Sequence, residues 1–304
     1  YEMRISDWSS DVCSPIYSIN KAAKEMFFSQ PFLSGVLKSL EDELGYALFV
    51  RNNRGVELTE EGKEFLRLGR QVQQLVFQME QIGSKGKKQV LKICYVQSYH
   101  ILDMLQKFRE NDLNKIQLET RETNNPNVFF SVLQNPEYIG IAYRYGTSED
   151  KWMKFCEDNE LTFLEFYREP VHAVVGKNNP LYSREVLTYD DLSEYEAVMQ
   201  KSWTEDNTYE IVMPDFMRRH FKLSRHTFDD SRSKLYFLSQ NPEYFGVSVK
   251  WLDEGDPLLD IGAVHYIPIL DDAIDRRMGV VFNNLGSQEK SAQRLIQFLK
   301  QKSI

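Results

Sequence analysis

Gln30, Ser34 and Lys38 stand four residues apart. At 3.6 residues per turn, that spacing puts an amide, a hydroxyl and an ammonium on one face of a helix. Together they offer donors and acceptors to a groove, which is the chemistry of recognition. Ser29, just before them, suits an N-cap, and Pro31 falls in the first turn, where its missing N–H costs nothing. A second set follows in R-N-N-R-G, residues 51–55, a turn sequence between apolar runs. There Arg51 and Arg54 sit at a hairpin tip and can be laid against phosphates.

These side chains need a scaffold, and the flanking residues describe one. Ala22, Ala23, Met26 and Phe27 give residues 20–28 one apolar helical face. After the Ser29-Gln30-Pro31 turn, Leu33, Val36, Leu37, Leu40 and Leu44 form a stripe facing a core, and Gly45 closes the helix. Leu48-Phe49-Val50 and Val56-Glu57-Leu58 make the hairpin strands. Thr59 caps a further helix with Glu60 and Glu61 at its positive end. Helix, turn, helix, basic hairpin and new helix start together predict a winged helix-turn-helix over residues 1–62, with double-stranded DNA as partner.

The run S-Q-P-F-L-S-G-V-L-K-S-L-E-D-E-L-G-Y-A-L-F-V-R, followed by R-G-V-E-L-T-E-E-G, resembles the LysR-type bacterial transcriptional regulators. The resemblance implies that Ser29, Gln30, Pro31, Ser34, Lys38, Arg51 and Arg54 contact DNA. It implies a dimerising linker helix and then a two-lobed, periplasmic-binding-protein-like α/β domain that takes a small effector. Gly35 departs from the family, which often has a basic side chain there. The first seventeen residues depart further. Their D-W-S-S-D-V-C-S segment resembles a translated sequencing adapter, so residues 1–17 are set aside from the fold reading.

Phe65, Leu68, Val72, Leu75, Met79 and Ile82 are spaced three and four alternately, an a/d seam of about two and a half heptads. The seam predicts a helix pair between two chains over residues 59–84, hence a homodimer or homotetramer. G-S-K-G-K-K then reads as a linker to an effector-binding domain at 88–304.

Beyond the linker, strand-like and helix-like runs alternate, which predicts a parallel sheet with covering helices. Strands are expected at 90–96, 116–123, 138–143, within 161–175 and at 196–200. Helices are expected at 101–110, 128–133, 189–192 and 215–221, with a tail helix at 287–302 packing on the first lobe. L-Q-N-P-E-Y-I-G-I and L-S-Q-N-P-E-Y-F-G-V recur about a hundred residues apart, as two similar lobes would require. The crossovers are expected near 164–171 and 266–270. A ligand belongs at the strand ends facing the other lobe. The candidate liners there are Ser98, Tyr99, Thr123, Asn124, Tyr143, Gln200 and Ser202.

Composition bounds the rest. A chain of 304 residues with 42% hydrophobic content supports more than one core. A net charge of −8 argues against bulk nucleic-acid binding, so DNA affinity must come from placed contacts. No apolar run reaches the ~20 residues of a membrane span, and the N-terminus lacks a secretory signal. The three cysteines form no paired framework and fit a cytoplasmic protein. The five histidines show no metal-ligand spacing, and no phosphate loop or nucleophile elbow is present. The expectation is a cytoplasmic regulator, not an enzyme, without cofactor or metal. The alternative is a two-lobed small-molecule sensor that no longer binds DNA.

Overall fold

The computed structural model describes residues 19, 23, 28–52, 55–82, 89–111, 116–145, 149–200, 212–271, 274–284 and 289–302. Residues 1–17, Arg54 and Ser202 lie outside that set. The chain divides into two compact units, residues 1–87 and 88–304.

In the first unit, helix α1 spans Gln30–Leu44. Ser29 is extended and its hydroxyl accepts the Phe32 N–H, while Gly45, at φ 79°, turns the chain out and donates to the Glu41 carbonyl. Leu33 and Leu37 are buried with Ala23, and Ile19 and Phe49 pack against them. Strands β1 (Phe49–Asn52) and β2 (Gly55–Leu58) pair antiparallel, Phe49 opposite Leu58. Glu41 binds the hairpin to α1 by accepting the Leu48 and Phe49 amides at 2.7 and 3.0 Å. Helix α2 spans Glu60–Ile82, about 35 Å at 1.5 Å per residue. Thr59 caps it, accepting the Gly62 amide at 2.8 Å and donating to the Ala47 carbonyl at 2.7 Å. A Cβ on Gly62 would stand 2.1 Å from the Leu48 carbonyl oxygen, so only glycine fits beneath the hairpin.

The second unit holds two five-stranded sheets. The first lobe is built from β3 (Gln89–Val96), β4 (Ile116–Thr123), β5 (Tyr138–Tyr145), β6 (Leu161–Pro170) and β12 (Asp275–Asn283), in the order β4-β3-β5-β12-β6. Strands β3, β4 and β5 are parallel, whereas β12 runs antiparallel between β5 and β6. Its helices are α3 (Tyr99–Asn111), α4 (Asn125–Gln134), α5 (Glu149–Asp158) and, at the end of the chain, α10 (Glu289–Lys302). Val128, Phe129, Val132 and Leu133 of α4 are fully buried. As expected, α10 packs on this lobe through buried Ala292, Leu295, Ile296 and Leu299, with Phe298 edge-on to Phe108 at 5.3 Å.

The second lobe is built from β7 (His172–Gly176), β8 (Glu196–Gln200), β9 (Lys222–Phe228), β10 (Tyr244–Ser248) and β11 (Val264–Pro268), in the order β11-β7-β10-β8-β9. Its helices are α6 (Tyr189–Leu192), α7 (Val212–His220), α8 (Ser231–Gln240) and α9 (Pro257–Asp260), with a short 3-10 turn at Trp251–Asp253. Leu235 and Leu238 of α8 close a core with Val174, Val198, Val264 and Tyr266.

Both crossovers need correction. Leu164 to Pro170 belong to β6 and pair with β12 in the first lobe, so the chain enters the second lobe only at Val171, the last residue of the expected 164–171 segment. It does not return at 266–270, because Tyr266 to Pro268 belong to β11 and pair with β7, and Ile269 and Leu270 bond to Leu187 of the same lobe; it is back beside Val171 at Ile274. Hydropathy could not separate these, since the whole stretch from Val264 to Ile269 is apolar apart from His265. The two passages are bonded together, Val171 N–H donating to the Ile274 carbonyl at 3.0 Å.

Candidate functional site

On α1 the expected face is present. Gln30 and Ser34 are half-buried and Lys38 is exposed. The Gln30 amide donates to the Ser34 hydroxyl at 2.7 Å, which orients the glutamine before any partner arrives. Pro31 and Phe32 are exposed at the N-terminal end, where Phe32 meets Phe28 with ring centroids 5.1 Å apart. Gly35 opens onto space, with nothing within 4 Å of a Cβ built there. Arg51 lies in β1 opposite Val56, but its side chain is outside the described residues. Along α2, Leu68, Val72, Leu75, Val76 and Met79 are exposed. Such an exposed apolar stripe is the kind of surface that meets a partner.

The second unit has a cavity of about 170 Å³ between its lobes. Its first-lobe wall is formed at the C-terminal ends of the parallel strands by Val96 and Gln97, by Glu122 to Asn125, and by Tyr143. The second-lobe wall is Gln200, Asp229, Asp230, Ser231 and Leu252. Arg276 completes the lining from the start of β12, which runs antiparallel to β5 and so begins where β5 ends.

Of the residues expected from sequence, Thr123, Asn124, Tyr143 and Gln200 line this cavity together. Asn124 also caps α4, its Oδ1 accepting the Asn127 amide at 3.0 Å. Ser98 and Tyr99 stand outside the lining. Ser98 is buried, donates its hydroxyl to the Leu252 carbonyl at 2.5 Å and accepts the Ile101 amide, so it ties the lobes and caps α3. Tyr99 lies at the edge with the Arg232 guanidinium 4.4 Å over its ring.

Glu122, Asn125, Asp229, Asp230, Ser231 and Arg276 were missed. D-D-S at 229–231 is an N-cap signature that a strand-end search could have used. Asn125 gave no signal. Its amide donates to the Tyr143 carbonyl at 3.0 Å and its oxygen accepts the Tyr143 amide at 2.9 Å, a tertiary clamp on a lining tyrosine.

Arg276 dominates the electrostatics of the cavity. It is 2% exposed. Nη2 donates to the Tyr145 hydroxyl at 2.7 Å, and the guanidinium lies 4.3 Å from the Tyr143 ring centroid. A longer contact of 3.5 Å reaches Ser248 Oγ, which in turn donates to Asp253 at 3.0 Å. Its Nε is buried without a hydrogen-bond partner among the described residues. Burial opposes the charge, but Tyr145, Tyr143 and Asp253 outweigh it and hold the guanidinium's pKa above its ordinary value. Behind it, burial pushes the Lys234 ammonium down to about 8. Burial also raises the described thiols, Cys94 to about 12 and Cys156 to about 11, which disfavours their thiolate forms. Among the described residues no group of three or more His, Cys, Asp or Glu is placed to hold a metal, and no helix is long and apolar enough to cross a membrane.

Comparison with known proteins agrees with this architecture. Residues 17–63 match the profile of the bacterial regulatory helix-turn-helix protein, lysR family, and residues 84–303 match the LysR substrate binding domain. The HTH-type transcriptional regulator YnfL of Escherichia coli K12 is 26% identical over 207 residues, 66% of each chain. The HTH-type transcriptional regulator CysB of Burkholderia cenocepacia is 25% identical over 189 residues, 60% of this chain and 57% of its own. These matches thus span less than two thirds of the curated relatives' length. Among solved structures, a full-length OxyR variant from Pseudomonas aeruginosa superposes with a TM-score of 0.52 at 15% identity, covering 99% of this chain and 95% of that one, a likeness of fold alone. With its helix-turn-helix and its two-lobed substrate-binding unit both matched, the chain belongs to the LysR family of bacterial regulatory proteins.

Proposed function

We propose that the chain is a sequence-specific DNA-binding transcriptional regulator whose second unit takes a small molecule between its lobes. Residues 1–62 serve as the DNA reader, 59–84 as the dimerising helix and 88–304 as the effector-binding domain. Ser29, Gln30, Pro31, Ser34 and Lys38 face the major groove, and Arg51 and Arg54 hold the flanking phosphates. The effector contacts Thr123, Asn124, Tyr143 and Gln200, with Ser98 and Tyr99 holding the wall behind them, and Ser202 as a further contact. The working form is a homodimer or homotetramer in the cytoplasm, and the chain is not an enzyme.

The observation that carries this reading is the cavity itself. It lies at the C-terminal ends of the parallel strands of both lobes and is lined by polar side chains from each, so an occupant bonds both lobes at once. A molecule that favours the closed lobes shifts the population toward them and so toward one arrangement of the DNA readers.

An electrophoretic shift assay on the DNA flanking the gene tests the reading, run on the full chain and on Thr123→Trp, which fills the cavity. Preference for that DNA over random sequence at about 150 mM salt, where loosely held phosphate contacts are screened, is expected, with the Trp variant showing an altered response to cell metabolites. Equal binding of both DNAs would favour a sensor that no longer reads sequence. An unaltered response in Thr123→Trp would remove the cleft as the effector site.

A further inference from the structure

Arg276 lines the interlobe cavity as a buried charge with no counter-ion in contact. It is 2% exposed and has no carboxylate oxygen within 4.0 Å among the described residues. Its Nε has no hydrogen-bond partner among them. The contacts it does make are to neutral hydroxyls, Tyr145 at 2.7 Å and Ser248 at 3.5 Å. A buried guanidinium is costly unless an anion meets it. Asp253 favours its charge from farther off, but favours that of buried Lys234 as well, so one aspartate serves two cations. Asp256, also buried, accepts the Leu258 amide at 2.9 Å and is set against Arg232.

The acids that line the cavity are all engaged elsewhere. Glu122 meets the Arg232 guanidinium through both oxygens at 3.2 Å. Asp230 caps α8, accepting the Ser233 amide at 2.7 Å and its hydroxyl at 2.9 Å. Asp229 is exposed to water and has an interaction of its own. The unmet demand of the cavity is therefore for negative charge. Helix α4 points the same way. Its N-terminal end lines the cavity through Asn124 and Asn125, its cap is the neutral Asn124, and its first turn holds no acid. The positive end of that helix adds to the pull of Arg276 on an anion. The demand is for one charge only. A dianion brings a second charge into the field of three carboxylates with no second cation to meet it, and a neutral molecule leaves Arg276 as it was.

We propose that this cavity binds a small monocarboxylate, with its carboxylate on the Arg276 guanidinium and its far end among Thr123, Asn124 and Gln200. The inference rests on the cleft being the effector site of this regulator. A guanidinium presents its N–H groups as a fork that matches a carboxylate. At ~30 Å³ for each water-sized group, the cavity of about 170 Å³ holds about six non-hydrogen atoms, the size of a short hydroxy or oxo acid. Thr123, Asn124 and Gln200 supply neutral donors and acceptors for that hydroxyl or carbonyl, and the Tyr143 ring covers one face.

Calorimetric titration of the full chain tests this with a fixed panel: acetate, lactate, pyruvate, lactamide, nitrate and oxalate. At least one of the three monocarboxylates should bind, and at least tenfold more tightly than lactamide, which keeps the shape and loses the charge, or oxalate, which carries a second charge. Arg276→Gln should abolish that binding, and Arg276→Lys should restore part of it. The panel on the unaltered chain decides the matter even if the Arg276 variants fail to fold. Lactamide or oxalate binding as tightly as the monocarboxylates, or no binding by any monocarboxylate, would overturn the proposal. Nitrate binding as tightly would mark a general anion site and overturn the carboxylate assignment. If lactamide, nitrate or oxalate binds instead and is lost in Thr123→Trp, the cleft reading survives while the monocarboxylate does not. Monocarboxylate binding that persists in Thr123→Trp would overturn both, because the ligand would then sit elsewhere.

Discussion

Arg232 bridges the two lobes of the second unit, its Nη2 standing 3.2 Å from both carboxylate oxygens of Glu122. The same guanidinium lies over the Tyr99 ring, so one side chain of α8 holds both β4 and α3. The pair is partly exposed, 38% on the arginine and 27% on the glutamate, and water screens it. Its contribution to global stability is then at most about 1 kcal/mol. Its location gives it a larger effect on opening than on unfolding. Arg232→Ala should leave the denaturation midpoint nearly unchanged while hydrogen exchange at the end of β4 rises several-fold. A stability loss above about 3 kcal/mol would mark the contact as part of the core instead.

For the proposed DNA-reading face, the Gln30–Ser34 hydrogen bond sets an order of effects. Gln30→Ala should cost about 1–3 kcal/mol of discrimination at one base pair, the value of a good bidentate contact. Ser34→Ala leaves the reading amide in place but frees its orientation, so it should cost less. The double variant should depart from additivity by about 0.5 kcal/mol or more. Shift assays against single-base operator variants give all three numbers. Strictly additive losses would mean that the 2.7 Å contact plays no part when DNA is bound.

Helix α2 offers a test of assembly. Leu75 is 54% exposed in the single chain, between Val72 and Met79 on the same stripe. In a two-chain seam, Leu75→Asp would bury a carboxylate with no cation near it, at a cost of several kcal/mol. Sedimentation should show a dimer falling to monomer, with the second unit still folded and operator affinity sharply reduced, because linkage of the half-sites is lost. A dimer that persists through this helix would assign the exposed stripe to some other surface.

Acid should weaken the second unit through two histidines. Burial holds His100 and His172 below the ordinary value of 6.5. Around His100, Glu254 and Asp103 favour the proton and Lys107 opposes it. Around His172, Glu169 and the Pro170 backbone favour it and Lys250 opposes it. The unfolded chain takes up these protons near pH 6.5 and the folded chain only at lower pH. Stability is therefore fully present above about 6.5 and is lost as pH falls toward the depressed folded values. Denaturant midpoints at about pH 8 and about pH 5, on either side of that window, should converge in the His100→Gln, His172→Gln double variant. An equal acid loss in variant and parent would place the effect on other groups.

Much of this organisation was legible because local rules and tertiary demands agree. Q-N-P-E-Y is the clearest instance. Both copies end a helix at asparagine, Asn135 at φ −125°, ψ 97° and Asn241 at φ −125°, ψ 92°, and both start a strand at the following tyrosine. Proline after asparagine disfavours a continued helix in each copy. The S-Q-P turn and the Gly45 stop were readable for the same reason. Arg276 was not. It neighbours Arg277, whose Nη1 pairs with Glu149 at 3.0 Å, and nothing local says which of the two turns inward. That choice is made by the register of β12 between β5 and β6, a pairing across more than a hundred residues. Glu122 and Asp229 escaped notice for a related reason, because acids at strand ends read as solvated until two lobes bring them face to face.

The bonded crossover, Val171 to Ile274, limits how the second unit can move. Two strands tied edge to edge resist sliding past each other, and they bend with least cost out of their shared plane. The lobes then resemble the covers of a book on a two-strand spine, with opening and shutting as the one cheap excursion. Such a joint reduces the motion of the lobes to a single coordinate. One distance between a probe on α3 and another on α7 would suffice to follow it, and a second, independently varying distance would mean that the spine itself comes apart.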